Sequence, residues 1–70
     1  MINIWDFKDA EIIRITDIEG DVFQGRIIDI IDVGEESEDY GFGEDSICIS
    51  VNNRHIVFPQ SEIKSIKVIE

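Results

Sequence analysis

Two isoleucine-rich runs joined by a short glycine turn, with a second glycine inside the second run, constrain the fold of this chain more than any other feature. The segment is EIIRITDIEGDVFQGRIIDIID, residues 11–32, with Gly20 in the turn and Gly25 in the second run. A glycine in mid-strand usually marks a sharp bend or a close approach of two backbones, as in small closed barrels. The segment predicts a small β-barrel and does not by itself indicate an activity.

Composition favours an all-β protein with a single domain spanning residues 1–70. Isoleucine supplies 16 of the 70 residues and leucine none, and β-branched side chains suit pleated strands. A chain of this length buries only about 60% of its unfolded surface, so disulfides, metals or self-association often supplement the core. Because Cys48 is the only cysteine, an internal disulfide is excluded.

The single cysteine also fits a reducing compartment. The first ten residues, MINIWDFKDA, lack the basic region and apolar stretch of a secretory signal, and no apolar run approaches the ~20 residues of a membrane helix. We expect a cytoplasmic protein with no membrane partner, cofactor or small-molecule substrate.

The net charge of −10 repels phosphate groups and favours cationic partners. Half of the 16 acidic residues lie between Asp29 and Asp45, a stretch without lysine or arginine. The six basic residues are scattered singly through the predicted strands, and the sequence suggests no basic stripe. Nucleic-acid binding is therefore disfavoured by charge.

Two-residue alternation predicts five antiparallel strands, at residues 11–17, 22–33, 46–51, 54–58 and 63–69. Asn52 and Asn53 suit the positive φ angles of a two-residue hairpin turn, which would pair Val51 with Arg54. This register puts four apolar side chains on one face: Ile47, Ile49, Ile56 and Phe58. The alternation fails near Asp29, which predicts a bulge there.

The remaining segments are an N-terminal cap, residues 1–10, and an acidic surface loop, residues 34–45. A short helix and an extended conformation both stay open for the cap, in which Trp5 and Phe7 are expected to cover one barrel opening. Within the loop, Tyr40 and Phe42 beside Glu38 and Asp39 form a candidate partner-binding group, because aromatic faces next to carboxylates attract lysine and arginine. The alternative is that both rings cover the barrel.

The glycine spacing resembles that of the Sm-like (LSm/Hfq) family. The likeness has three parts: the hydrophobic alternation, the spacing of four residues between Gly20 and Gly25-Arg26-Ile27, and the later segment Ile63-Lys64-Ser65-Ile66. It spans roughly residues 11 to 69. It implies a strongly bent five-stranded antiparallel barrel of Sm-like or SH3-like type, often with a short N-terminal helix, whose copies join through edge strands four and five. We therefore expect a homo-oligomer, a ring or a dimer, with a hypothetical edge formed by Ile56, Phe58, Ile63, Ile66 and Val68.

The RNA-reading residues of that family do not match. Position 31 is isoleucine where the family carries aspartate, residues 33–36 contain no asparagine, and neither the Arg-Gly nor the Lys-His pair of the second motif occurs at residues 59–61. RNA binding follows only by family analogy.

Two groups of residues have side chains that could carry chemistry. Cys48 and His55 lie diagonally under the predicted register, but nothing nearby orients an imidazole, so a packed cysteine is favoured over a catalytic dyad. The carboxylates at 29, 32, 35, 36, 38 and 39 lack the spacing of a calcium loop, so we predict no metal site.

These features predict a noncatalytic, self-associating module for assembly or protein interaction. RNA binding is the first alternative. The second is an SH3-like adaptor or inhibitor that binds a basic protein through residues 29–45.

Overall fold

The structure, a computed structural model, describes residues 2–32 and 43–70. Five strands follow a 3-10 turn at Ile4–Phe7, and a second 3-10 turn, Gln60–Glu62, separates the last two strands. The strands are β1 (Ile12–Asp17), β2 (Val22–Ile31), β3 (Ser46–Val51), β4 (Arg54–Pro59) and β5 (Ile63–Val68). The predicted all-β class is confirmed, and the cap is a 3-10 turn followed by irregular backbone.

All five strands belong to one antiparallel sheet in the order β4-β3-β2-β1-β5. The closed barrel expected from the sequence is not found in the described residues, because β4 and β5 do not pair and the sheet stays open between them. The three-residue turn between these strands carries the chain from one end of the sheet to the other.

The β3–β4 hairpin has the predicted register. Val51 pairs with Arg54, and the ladder continues without a shift to Ser46 and Pro59. The turn residues Asn52 and Asn53 have φ angles of 50° and 66°, the left-handed conformation of a two-residue turn whose twist matches the strands.

A close approach between β2 and β3 explains the glycine at residue 25. A Cβ atom there would lie 1.9 Å from the carbonyl oxygen of Ser50, which no side chain can tolerate. Further along β2, the register against β3 shifts between Ile27 and Asp29. This irregularity confirms the predicted bulge.

One face of the sheet and the N-terminal turn enclose the core. Its buried members are Ile4, Ile13, Ile15, Ile47, Ile49, Phe58 and Ile63. Ile4 is fully buried, whereas Trp5 is 36% exposed and Phe7 is half-buried. The cap therefore inserts Ile4 into the core, and hydrophobic burial of that side chain stabilises the cap by about 1.5–3 kcal/mol.

Candidate interaction surfaces

The two end strands each have a free edge. Within residues 2–32 and 43–70, β4 pairs only with β3 and β5 pairs only with β1. In a two-residue hairpin the pair next to the turn, here Val51 and Arg54, is hydrogen-bonded, and hydrogen-bonded pairs then alternate with non-hydrogen-bonded pairs along the ladder. His55 and Val57 belong to non-hydrogen-bonded pairs, so their N–H groups point away from β3. The outer side of β4 thus offers backbone donors to another strand.

The five residues predicted to form the oligomer edge occupy different environments. Phe58 and Ile63 are buried, and Ile56 and Ile66 are half-buried against the same core. Val68 is 51% exposed. Four of the five side chains therefore serve the core, and any strand pairing at these edges depends on backbone groups more than on these apolar side chains.

The predicted partner-binding residues, Glu38, Asp39, Tyr40 and Phe42, lie outside the described residues. The segment 44–46, by contrast, is described and makes side-chain hydrogen bonds to other elements. The indole N–H of Trp5 donates to Oδ2 of Asp45 at 2.7 Å, and the hydroxyl of Ser61 donates to Oε2 of Glu44 at 2.8 Å. The backbone N–H of Ile4 donates to Oε1 of Gln60 at 3.1 Å. These contacts attach the cap and the second 3-10 turn to the start of β3.

A Cys48–His55 dyad is excluded by burial. Cys48 is 7% exposed, whereas His55 is exposed and pairs with Ser50 rather than with the cysteine. Burial raises the pKa of the Cys48 thiol, and the nearby charge of Asp29 adds to the rise. A thiol with a raised pKa is protonated at neutral pH and is a poor nucleophile, so Cys48 acts as a packing residue.

A compact acidic group, not expected from the sequence, lies at the β1–β2 turn. Oxygen atoms of Asp17, Glu19 and Asp21 lie within 4.8 Å of one another. However, Oδ1 of Asp17 already accepts the backbone N–H groups of Glu19 and Asp21, at 3.0 and 2.9 Å. Such bonds are usual in an aspartate-led turn, and we assign the group a structural role.

The described residues form two shallow clefts that share no lining residue. One, about 310 Å³, lies between the cap and the bulged part of β2 and is lined by Trp5, Lys8, Ala10 and residues 27–30. The other, about 230 Å³, lies beside the β1–β2 turn and is lined by Asp17, Ile18, Glu19, Val57, Phe58 and Glu62. Ligand pockets usually measure about 300–1,000 Å³, so the first cleft lies at the lower end of this range and the second below it.

The outer face of the sheet carries a basic group that the linear sequence conceals. Arg14 lies directly opposite Lys67 on β5 and opposite Gln24 on β2. Arg26 lies two residues beyond Gln24, so its side chain is on the same face. We call Arg14, Arg26 and Lys67 the cationic patch. Pairing between distant strands thus brings together three cations that are isolated in the sequence.

The described part of the chain contains no helix with the length and apolar character needed to cross a membrane. Comparison with known proteins adds no assignment, because no family model, curated protein or solved structure matches the chain.

Proposed function

We propose that this chain is a noncatalytic, Sm-like small-barrel module that self-associates through its sheet edges, as a ring or a dimer, and thereby serves in assembly or protein interaction. The observation that carries the proposal is the pair of free edges on β4 and β5. A second copy that pairs with one of these edges extends the sheet and satisfies the backbone groups left unpaired there.

The small core provides a second reason for association. Among the described residues, seven buried side chains form the main cluster, and a domain of this size has a marginal core when it is alone. Val68, the last residue of β5, is 51% exposed, and Ile69, which follows it, is 36% exposed. Edge pairing would remove part of this apolar surface from water, and each Å² buried would add about 25 cal/mol to the free energy of association.

The Sm-like assignment is supported by the length of the second strand and by two local features within it. Gly25 allows β2 and β3 to approach closely, and the register of β2 against β3 shifts between Ile27 and Asp29. Both features increase twist and curvature in a sheet. The strand order places β4 and β5 at opposite ends, which is the arrangement needed for head-to-tail joining of copies.

Native mass spectrometry and light scattering over a range of protein concentrations test the proposal. We expect masses that are multiples of 8.0 kDa. Because each copy carries a net charge of −10, salt should strengthen association by screening repulsion over a Debye length of about 8 Å at physiological ionic strength. A single 8.0 kDa species at every concentration and salt would reject self-association.

A proline placed at an outward-facing position of β4 tests the edge itself. His55 is exposed, and His55→Pro removes a backbone donor from the free edge without removing a bond to β3. We expect this variant to be monomeric and the matched His55→Ala variant to remain associated. Oligomers of unchanged mass in a folded His55→Pro variant would show that the β4 edge is not the contact.

A further inference from the structure

The cationic patch consists of side chains that are closely spaced and exposed. Arg14 and Lys67 are direct partners on adjacent strands, so their Cβ atoms are about 4.5–5.5 Å apart. Arg26 is diagonal to Arg14, at about 7–8 Å. All three side chains are exposed. One half of the six basic residues of the chain is therefore concentrated on a small area of three strands.

Nothing in the described part of the chain neutralises this patch. The guanidinium of Arg14 donates to Oε1 of Gln24, through Nε at 3.1 Å and Nη2 at 2.9 Å. This acceptor is a neutral amide. Among residues 2–32 and 43–70, no carboxylate is in ion-pair contact with Arg14, Arg26 or Lys67. Like charges directly opposite each other repel, so an anion bound between Arg14 and Lys67 would relieve that repulsion.

The neighbours on the same face are mostly neutral. Thr16, Val22 and Ser65 form the next row on one side, and Ser50 lies opposite Arg26. Asp29 shares the face beyond the bulge, opposite Cys48. The described residues named here thus include three cations and one carboxylate on this face, in a molecule whose net charge is −10.

We propose that the cationic patch is a docking surface for an acidic polypeptide segment of a partner protein. Arginine matches a carboxylate with paired N–H donors, and the polar neighbours Gln24 and Ser50 offer further hydrogen bonds to a peptide. The face has no aromatic ring among the residues named above on which a base could stack, and stacking supplies much of the affinity for single-stranded RNA. The chemistry therefore fits carboxylates better than RNA.

This surface is separate from the edges used for self-association. The patch involves side chains that project from the sheet, whereas the edges use backbone groups of β4 and β5. The inference therefore does not depend on the proposed function, and a monomeric protein would retain the patch.

The test uses a fluorescein-labelled oligoglutamate peptide and the full chain, with binding followed by anisotropy at low salt. Because the protein has a net charge of −10, its overall field repels this probe, and any binding has to come from a local positive surface. We expect binding that weakens as salt is added.

Two double variants with the same change in net charge locate the site. Arg26→Gln with Lys67→Gln removes two charges from the patch, whereas Lys8→Gln with Arg54→Gln removes two exposed charges elsewhere. We expect about tenfold weaker binding for the first pair and a much smaller change for the second, since each exposed charge pair contributes up to about 1 kcal/mol. Circular dichroism checks that both double variants are folded.

Three results would overturn the proposal. The first is no oligoglutamate binding to the wild-type protein at low salt. The second is an equal loss of affinity in both double variants, which would indicate a nonspecific charge effect. The third is tighter binding of oligouridylate than of oligoglutamate, which would identify the face as a nucleic-acid surface.

Discussion

The substitution Gly25→Ala tests most directly why β2 and β3 can approach each other so closely. The new methyl group would lie 1.9 Å from the carbonyl oxygen and 2.8 Å from the carbonyl carbon of Ser50. Because the obstacle is backbone and not a flexible side chain, β2 and β3 would have to separate by about 1.5 Å to reach ordinary contact distance. The nearest ladder pairs, Arg26 with Ser50 and Ile27 with Ile49, would be disturbed.

The expected loss is large relative to the stability of a small domain. Overpacking costs about 1–3 kcal/mol, and each weakened ladder hydrogen bond costs about 0.5–1.5 kcal/mol. We therefore expect Gly25→Ala to lower the free energy of unfolding by about 3 kcal/mol or more. For a domain of this size, that corresponds to a fall in Tm of about 12 °C or more, measured by thermal circular dichroism.

Gly20 provides the matched control, because its requirement for glycine has a different origin. Its φ angle is +92° and no atom lies within 4 Å of the position a Cβ would take. We expect Gly20→Ala to cost about 1–2 kcal/mol through the left-handed backbone, and Gly20→Asn to recover part of this loss, since asparagine tolerates that conformation. Gly25→Asn should recover nothing. A Gly25→Ala protein that melts within a few degrees of wild type would refute the close-approach argument.

Two further predictions concern the hairpin turn and the buried thiol. Asn53 has a φ of 66°, so Asn53→Ala should lower the free energy of unfolding by about 1 kcal/mol. Asn53→Gly should stay within about 0.5 kcal/mol of wild type, because glycine adopts this conformation readily. Equal melting curves for the two variants would contradict this reasoning. Burial and then the charge of Asp29 raise the pKa of Cys48 from its ordinary value of 9.0, so the folded state holds the thiol proton more tightly than the unfolded state. Stability from this group is therefore complete below the pKa of the unfolded thiol and is lost as pH rises through the pKa of the folded thiol. Urea titrations should show a steeper alkaline loss of stability in the wild type than in Cys48→Ala, and equal slopes would contradict this.

The sequence predicted local elements well where two independent signals agreed. At the β3–β4 hairpin, the Asn52-Asn53 pair specified the turn, and the alternation of Ile47 and Ile49 specified the face, so the whole register followed. The bulge could be predicted from the loss of alternation after Ile27 alone, because a regular strand would have directed Asp29 into the core.

Where no periodic pattern existed, the prediction was less specific. Residues 1–10 contain Ile4, Trp5 and Phe7 within one turn, and their spacing indicated only that the two rings would cover a barrel opening. In the structure, the 3-10 turn holds Ile4, which is buried in the core, while the indole N–H of Trp5 donates to Asp45. That hydrogen bond joins residues 40 positions apart, so no local pattern could indicate it.

The cationic patch could be recognised only once the pairing of all the strands was known. Arg14 and Lys67 belong to the first and last strands of the chain, and only the β1–β5 ladder places them side by side. Counting charges along the sequence correctly gives an acidic protein, but pairing determines where the few cations lie.

Pairing of copies at the sheet edges would bring their cationic patches close together. When strands of two copies pair at their edges, the sheet continues and its faces remain aligned. Lys67 lies on β5, one of the free end strands, so each added copy would bring another cationic patch close to a junction. Several weak patches in one assembly would bind an extended acidic segment more tightly than a single patch, because the second contact is intramolecular. Self-association of an acidic chain would thus increase its affinity for another acidic polypeptide, although net charge alone would suggest repulsion.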